Sequence, residues 1–280
     1  MAIKVLVTSQ KGGVGKSTLS ANLAAYLSLH GGMRTALLDF DHQATSSTWL
    51  RRCGDSRVRV FPVDILSLTS SGLSVLKSKE ALRVACLDTD VVISDLTWVD
   101  TLPPSFFLDY DLILIPASLS GIELDSLHDF FERFANIFNS VRQRVPQIVV
   151  APNRLNDIDH YNEIFSESGF PVRFHLLSPI MYSKAAQDCF GKRFLFSTVD
   201  LSLRNAFLQV CTEVKQILEP LMLRASQGVT VQRQGLSPHK VKQSVLDRFV
   251  AGRAVRNRGG PLATEPDEKK WFEFLRRKSR

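Results

Sequence analysis

The sequence predicts an α/β fold: a mostly parallel sheet with helices on both faces, followed by a basic C-terminal extension. Short apolar runs alternate along the chain with longer stretches whose apolar residues recur every three or four positions. The apolar runs are continuous rather than alternating, as strands covered on both faces must be. Several of them end in a carboxylate, an asparagine or a glycine-rich loop, at the strand edge where such sheets bind ligands.

The first run, Ile3 to Val7, reads as a strand and leads into Gln10-Lys11-Gly12-Gly13-Val14-Gly15-Lys16-Ser17-Thr18. A helical pattern, Leu19 to Leu29, follows at once. Strand, glycine loop and helix in that order are the context of a phosphate-binding loop, which makes the fold a P-loop NTPase. Gly12, Gly13 and Gly15 let backbone amides close round a polyphosphate, and the helix turns its positive end toward the same anion. In this reading Lys16 reaches the β- and γ-phosphates and the Ser17 hydroxyl ligates Mg²⁺. Val14 and Thr18 complete the nucleotide-binding loop.

Lys11 is a second lysine, at the start of the loop, where the ordinary pattern tolerates almost any residue. With it the chain resembles the deviant Walker A family, the ParA/MinD group of ATPases, whose signature is KGGxGK[ST]. The resemblance implies ATP and Mg²⁺ as ligands and an ATP-sandwich homodimer in which Lys11 contacts the nucleotide of the partner subunit. Charge delivered in trans in this way would act as an arginine finger does. The catalytic set it implies is Lys11, Lys16 and Asp41.

The second strand, Thr35-Ala36-Leu37-Leu38-Asp39-Phe40-Asp41, delivers two carboxylates at its end. A carboxylate near a phosphate-binding loop can hold Mg²⁺ through water or position the attacking water. The segment resembles the DxDPQ switch I motif of the family, which implies that Asp41 orients the hydrolytic water while Asp39 supports the metal, Asp41 also counting in the implied metal set. His42 stands where the family has proline and reads as a solvated loop residue. Val58 to Val63 is a third strand and Ile65 to Leu82 a helical region. Asp90 to Asp95 is an apolar strand ending in a carboxylate, the shape of a Walker B element, with Asp95 reaching the metal through a water. The family continues into Thr-Pro-Pro; here Leu96-Thr97-Trp98 follow, which leaves the second switch open, with Trp98 on packing or dimer surface.

Asp111 to Pro116 is the next strand, and Ile122 to Phe138 an amphipathic helix. Its stripe of Phe130, Phe131, Phe134 and Phe138 stands at core-facing spacing. Gln147 to Pro152 is a further strand ending at Asn153-Arg154. The resemblance implies that Asn153 reads the adenine edge and that Ser178-Pro179-Ile180 packs on the base, Pro179 included in the binding set. Val172 to Leu177 and Phe194 to Ser197 are short core elements, and Leu203 to Leu223 is a closing helix. Residues 1–223 therefore read as the ATPase domain and 224–280 as the extension.

The 280 residues, 44% apolar, suffice to bury a full core. No run of eighteen apolar residues occurs and no leader precedes the first strand, so neither an integral membrane protein nor a secreted one is expected. Cys53, Cys86, Cys189 and Cys211 are scattered without CxxC spacing, which disfavours a structural metal and an iron–sulfur relative. The formal net charge of +7 is uneven: from Arg224 onward fourteen Lys/Arg face five Asp/Glu. Such a tail favours an anionic partner. Gly228 to Pro238 reads as a linker, His239 to Val255 as a basic amphipathic helix, and Asp267 to Arg280 sets Trp271, Phe272 and Leu275 beside Lys and Arg. That last composition suits docking on the core, a DNA-binding arm or an interfacial membrane helix.

By resemblance the chain is a short ParA-like ATPase that segregates plasmid or chromosomal DNA, or positions a cargo. It would act on the nucleoid in the cytoplasm, with slow hydrolysis stimulated by a ParB-like or cargo-adaptor protein. Lys184, Lys192, Arg193 and Arg204 are the candidate residues for nonspecific DNA. The competing expectation is a MinD-like membrane-cycling ATPase anchored by the Trp271 to Leu275 segment. A regulator with a vestigial site is disfavoured by Lys11, Lys16 and Asp41 together, and a protein-tyrosine kinase by a tail without tyrosine.

Overall fold

The computed structural model describes residues 1–65, 71–100, 102–141, 144–156, 161–167, 169–226 and the pair 249–250. In chain order the elements begin β1 (Ile3–Ser9), α1 (Lys16–Leu29), β2 (Thr35–Asp39), α2 (Thr45–Arg52), β3 (Arg59–Pro62), α3 (Ser71–Ala85) and β4 (Val91–Thr97). They continue with β5 (Leu112–Ala117), α4 (Gly121–Phe138), β6 (Gln147–Leu155), α5 (Tyr161–Glu167), β7 (Phe174–Leu176) and β8 (Ile180–Met181). Last come α6 (Lys184–Asp188), α7 (Leu201–Ser226) and β9 (Phe249–Val250). Short 3₁₀ helices cover Pro104–Asp109 and Leu195–Ser197.

The sheet runs β3-β2-β4-β1-β5-β6-β7-β9, with β8 paired to β6. Its pairs are parallel except β7 with β9. The chain builds outward from β1 to one side, through β2, β3 and β4, and then crosses to the other. The crossing leaves a switch point at the carboxyl end of β1, where open α/β sheets bind ligands. The glycine loop is the segment that leaves this point.

Successive side chains of a strand face opposite sides, and both sides here are covered. Leu6, Leu38, Val92, Ile113 and Val150 join the phenylalanines of α4 and Phe165 of α5 on one face. Val5, Leu37, Ile93, Leu114 and Val149 join α1, Trp49 of α2 and Phe207 of α7 on the other. α1 is buried nearly all round, and Ala21, Ala24 and Ala25, fully enclosed, let it approach the sheet closely. The expected phenylalanine stripe is core: Phe130, Phe131, Phe134 and Phe138 are all buried. Trp98 belongs to this cluster too, stacked on Phe107 with centroids 4.4 Å apart and meeting Phe134 edge-on at 5.2 Å. It is packing rather than surface.

The structure moves several boundaries and adds elements. β4 runs two residues past Asp95, because Leu96 and Thr97 stay in register with Thr8 and Ser9 of β1. Asp95 therefore lies within a strand. β6 likewise carries Asn153 and Arg154, through an irregular pairing with β8. α2, α5 and α6 are short helices where the sequence suggests no periodic stripe, since fewer than three turns scarcely display one. The expected linker and the Asp267–Arg280 segment lie outside the described residues. Within the stretch expected as a basic helix, Phe249–Val250 pairs with β7 as β9 instead. Among the described residues no helix is long and apolar enough to cross a membrane.

Candidate nucleotide-binding site

The loop between β1 and α1 takes its shape from its glycines. Gly13 and Gly15 have φ of 77° and 97°, in the region that only glycine enters freely. A Cβ at Gly15 would also displace the Asn153 carboxamide from its place beside the loop. Lys11, Gly12 and Gly13 are exposed at the rim, whereas Val14 is buried beneath. Lys16 is the first residue of α1 and only 6% exposed. Its ammonium folds back over the loop and donates to the Lys11 carbonyl at 3.0 Å. The Ser9 hydroxyl donates to the same oxygen at 2.8 Å, so one carbonyl closes the loop. Burial lowers the Lys16 pKa, and the facing Asp95 and Asp41 carboxylates draw it back.

The carboxylates arrive on neighbouring strands. Asp39 and Asp95 are register partners across β2 and β4, and Val7 of β1 is paired with Asp95 from the other side. Residues in register on parallel strands point to one face, so both carboxylates stand beside the start of α1. Asp39 is fully committed: one oxygen accepts from the Ser47 amide of α2 at 2.8 Å, the other from the Asp41 amide at 3.2 Å. It thereby caps α2, whose own N-cap residue, Ala44, offers no side-chain acceptor. Asp95 is 1% exposed, and its Oδ2 has no hydrogen-bond partner among the described residues. Burial, and next the charge of Asp39, raise its pKa to about 6, against the pull of Ser17, Ser46 and Lys16.

An unpartnered buried carboxylate oxygen beside the Ser17 hydroxyl suits a divalent cation, which would remove the penalty on the paired charges. Ser17 and Asp95 fit such an ion as they stand; Asp39 fits it only from behind, through the segment it holds. Asp41 is half-buried at the start of the loop beyond β2. It accepts from Thr97 Oγ1 at 3.3 Å and from the Gln43 amide at 3.0 Å. Exposed His42 lies 3.5 Å from it, at the loop surface.

On the opposite side Asn153 Nδ2 donates to the Val14 carbonyl at 2.8 Å, and the Arg154 guanidinium donates to the Gly13 carbonyl. Arg154 holds φ of 58°, a strained value for its type, and its guanidinium carbon lies 6.0 Å from the Tyr182 ring centroid. Pro179 is half-buried in the segment between β7 and β8. Glu213, buried in α7, fixes that segment by accepting from the Ser178 amide at 2.8 Å and its hydroxyl at 2.6 Å.

Lys11, Gly12, Gly13, Val14, Gly15, Lys16, Ser17, Thr18, Asp39, Asp41, Asp95 and Asn153 thus converge on the loop. Thr97, Ser46, Arg154 and Glu213 are the additions that sequence reasoning passed over. Of these, Ser46 carried a signal, because a Thr-Ser-Ser run after two aspartates is a helix start. Lys184, Lys192 and Arg193 are exposed and Arg204 is half-buried, on α6, the turn after it, and α7.

Fold and site together define a P-loop nucleotide-binding protein. Residues 5–189 match the CobQ/CobB/MinD/ParA nucleotide binding domain, and the chain belongs to that family. It is 32% identical over 140 residues to the chromosome-partitioning ATPase Soj of Treponema pallidum, covering 45% of this chain and 53% of that protein. It is 35% identical over 136 residues to the septum site-determining protein MinD of Helicobacter pylori, covering 46% and 50%. The chain spans about half the length of these curated relatives in each match. A putative plasmid partition protein from Borrelia burgdorferi, solved bound to AMPPNP, shares the fold at a TM-score of 0.58 and 19% identity. That likeness covers 76% of this chain and 100% of that one.

Proposed function

We propose that the chain is a ParA-like partition or positioning ATPase that binds ATP with Mg²⁺, dimerises around it and holds DNA nonspecifically until a partner protein stimulates hydrolysis. The observation that carries the proposal is the division of labour between two lysines of one loop. Lys16 is buried over the phosphate cradle, whereas Lys11 is exposed at its rim, free to serve a second subunit.

Bound Mg²⁺ would supply charge neutralisation at the β- and γ-phosphates. Ser17 and Asp95 would hold it, with Asp39 behind them. Lys16 gives up its bond to the Lys11 carbonyl for the phosphates, while the amides from Gly12 to Thr18 cradle them. Asp41, steadied by Thr97, orients the attacking water. Asn153 and Pro179 take the adenine. Hydrolysis is slow because the water-positioning set is incomplete until the second subunit and the partner arrive. Cytoplasmic, nucleoid-associated placement follows from the nonspecific DNA contact.

The test is binding to nonspecific duplex DNA with ATP, with ADP and without nucleotide, over a salt series. ATP-dependent, salt-sensitive binding supports the reading, and Asp41→Ala should remain dimeric and DNA-bound with ATP. Absence of binding in every state overturns it. Flotation with anionic liposomes then decides for the membrane-cycling alternative.

A further inference from the structure

α2 joins the candidate metal site to a cationic surface. Its first turn carries Ser46, beside Asp95, and Ser47, whose amide Asp39 holds. Its last turn carries Arg51 and Arg52, both exposed, roughly 9 Å further along the axis. There it meets a segment far away in sequence. The Trp49 indole donates to the Arg193 carbonyl at 3.2 Å and its ring meets Phe190 edge-on at 5.2 Å. The Arg52 guanidinium lies 5.8 Å from the Phe190 centroid. Gly191, with φ of 66°, passes beneath the Arg52 chain so closely that a Cβ would sit 2.8 Å from Arg52 Cδ.

Two remote segments are thus bolted together with their cations outward. Residues 51–57 and 184–193 hold six Lys/Arg against two acids, Asp55 and Asp188. Asp55 spends one oxygen on the Arg57 backbone amide. Arg51, Arg52, Lys192 and Arg193 have no carboxylate partner among the described residues.

We infer that Arg51 and Arg52 of α2 form, with Lys192 and Arg193, one phosphate-contacting surface for duplex DNA, and that α2 ties this surface to the nucleotide site. The inference rests on the DNA-binding reading above and extends the surface to a helix that reading did not include. A membrane face is the poorer fit. Interfacial binding needs apolar side chains pointing outward, but Trp49 is 2% exposed and Phe190 packs inward. None of the exposed large apolar residues falls in either segment. A backbone-reading surface needs only spaced cations.

The experiment compares the full-length chain with Arg51→Ala/Lys192→Ala, which leaves the Arg52 cradle intact. A second variant, Lys192→Ala/Arg193→Ala, keeps the carbonyl that Trp49 uses. Binding to a nonspecific duplex in Mg-ATP is measured across salt, with thermal melting as the check on folding. Each double variant should bind more weakly at every salt concentration, with the log–log salt slope shallower by about 2, near 0.9 per lost phosphate contact. A wild-type chain that binds DNA while both variants match it overturns the inference and leaves the proposed function standing. A wild-type chain that binds no duplex in any nucleotide state overturns both. Patch-dependent binding to phosphatidylglycerol/phosphatidylcholine vesicles without duplex binding overturns the assignment to DNA.

Discussion

At the scale of single residues, the site is a balance between buried charges that the sheet register forces together. Asp39 and Asp95 sit side by side because β2 and β4 are parallel neighbours in register. Asp39 recovers its desolvation through two backbone amides, but Asp95 does not. A carboxyl whose folded pKa, about 6, exceeds its ordinary value of 3.8 binds protons more readily in the folded chain. Its contribution therefore favours the folded state at low pH and declines as pH rises from about 4 to about 6. Asp95→Asn should make the chain more stable at pH 7 without divalent cation, by about 1–3 kcal/mol, and nearly neutral at pH 4. With Mg²⁺ and nucleotide the order should reverse. Urea melts at both pH values check this, and an equal effect at pH 4 and pH 7 would refute it. Asp41, Asp95, Lys16 and the glycines were legible because each occupies a fixed offset from an apolar run. Thr97 and Arg154 were not, since their placement depends on strands running past the points where the apolar pattern ends.

At the scale of elements, long periodic segments were readable and short ones were not. α4 and α7 announce themselves because a stripe of buried residues extends over several turns. α2 has eight residues, and its identity lies in how it is held: Asp39 caps one end and Trp49 anchors the other. Glu213 shows the same limit. A glutamate inside a closing helix reads as a solvated charge, yet it is 3% exposed and accepts bonds from Ser178 and from Gln209 at 2.9 Å. It ties the segment containing Pro179 to α7. Glu213→Ala leaves the Ser178 amide and hydroxyl without this acceptor, a loss of about 2–3 kcal/mol in stability. In the proposed site it should also weaken ATP binding more than it slows turnover of bound ATP. Denaturant melts and single-turnover hydrolysis separate the two effects. Unchanged affinity would mean that the Pro179 segment does not touch the base.

At the scale of the whole molecule, one sheet edge carries the residues proposed to hold the nucleotide, yet one chain alone leaves part of that set unused. The Lys16 ammonium and the Ser9 hydroxyl, both on buried residues, bond within the subunit, whereas the Lys11 side chain stands exposed at the rim. Its carbonyl, by contrast, is engaged twice, by Ser9 and by Lys16. That arrangement separates the backbone role of residue 11, which any residue could fill, from its side-chain role, which only a long cation fills. Lys11→Ala should keep the loop closed and bind ATP within roughly threefold of the parent, since the interaction lost is an exposed one worth well under 1 kcal/mol in the monomer. In the dimer the same ammonium would lie desolvated against a phosphate, where charge-assisted bonds are about twice as strong. Light scattering with ATP and Mg²⁺ should therefore find the parent shifting to a dimer and Lys11→Ala remaining monomeric, with hydrolysis reduced accordingly. A Lys11→Ala chain that dimerises like the parent would place the second-subunit contact elsewhere. One that fails to bind ATP as a monomer would instead assign Lys11 to its own nucleotide.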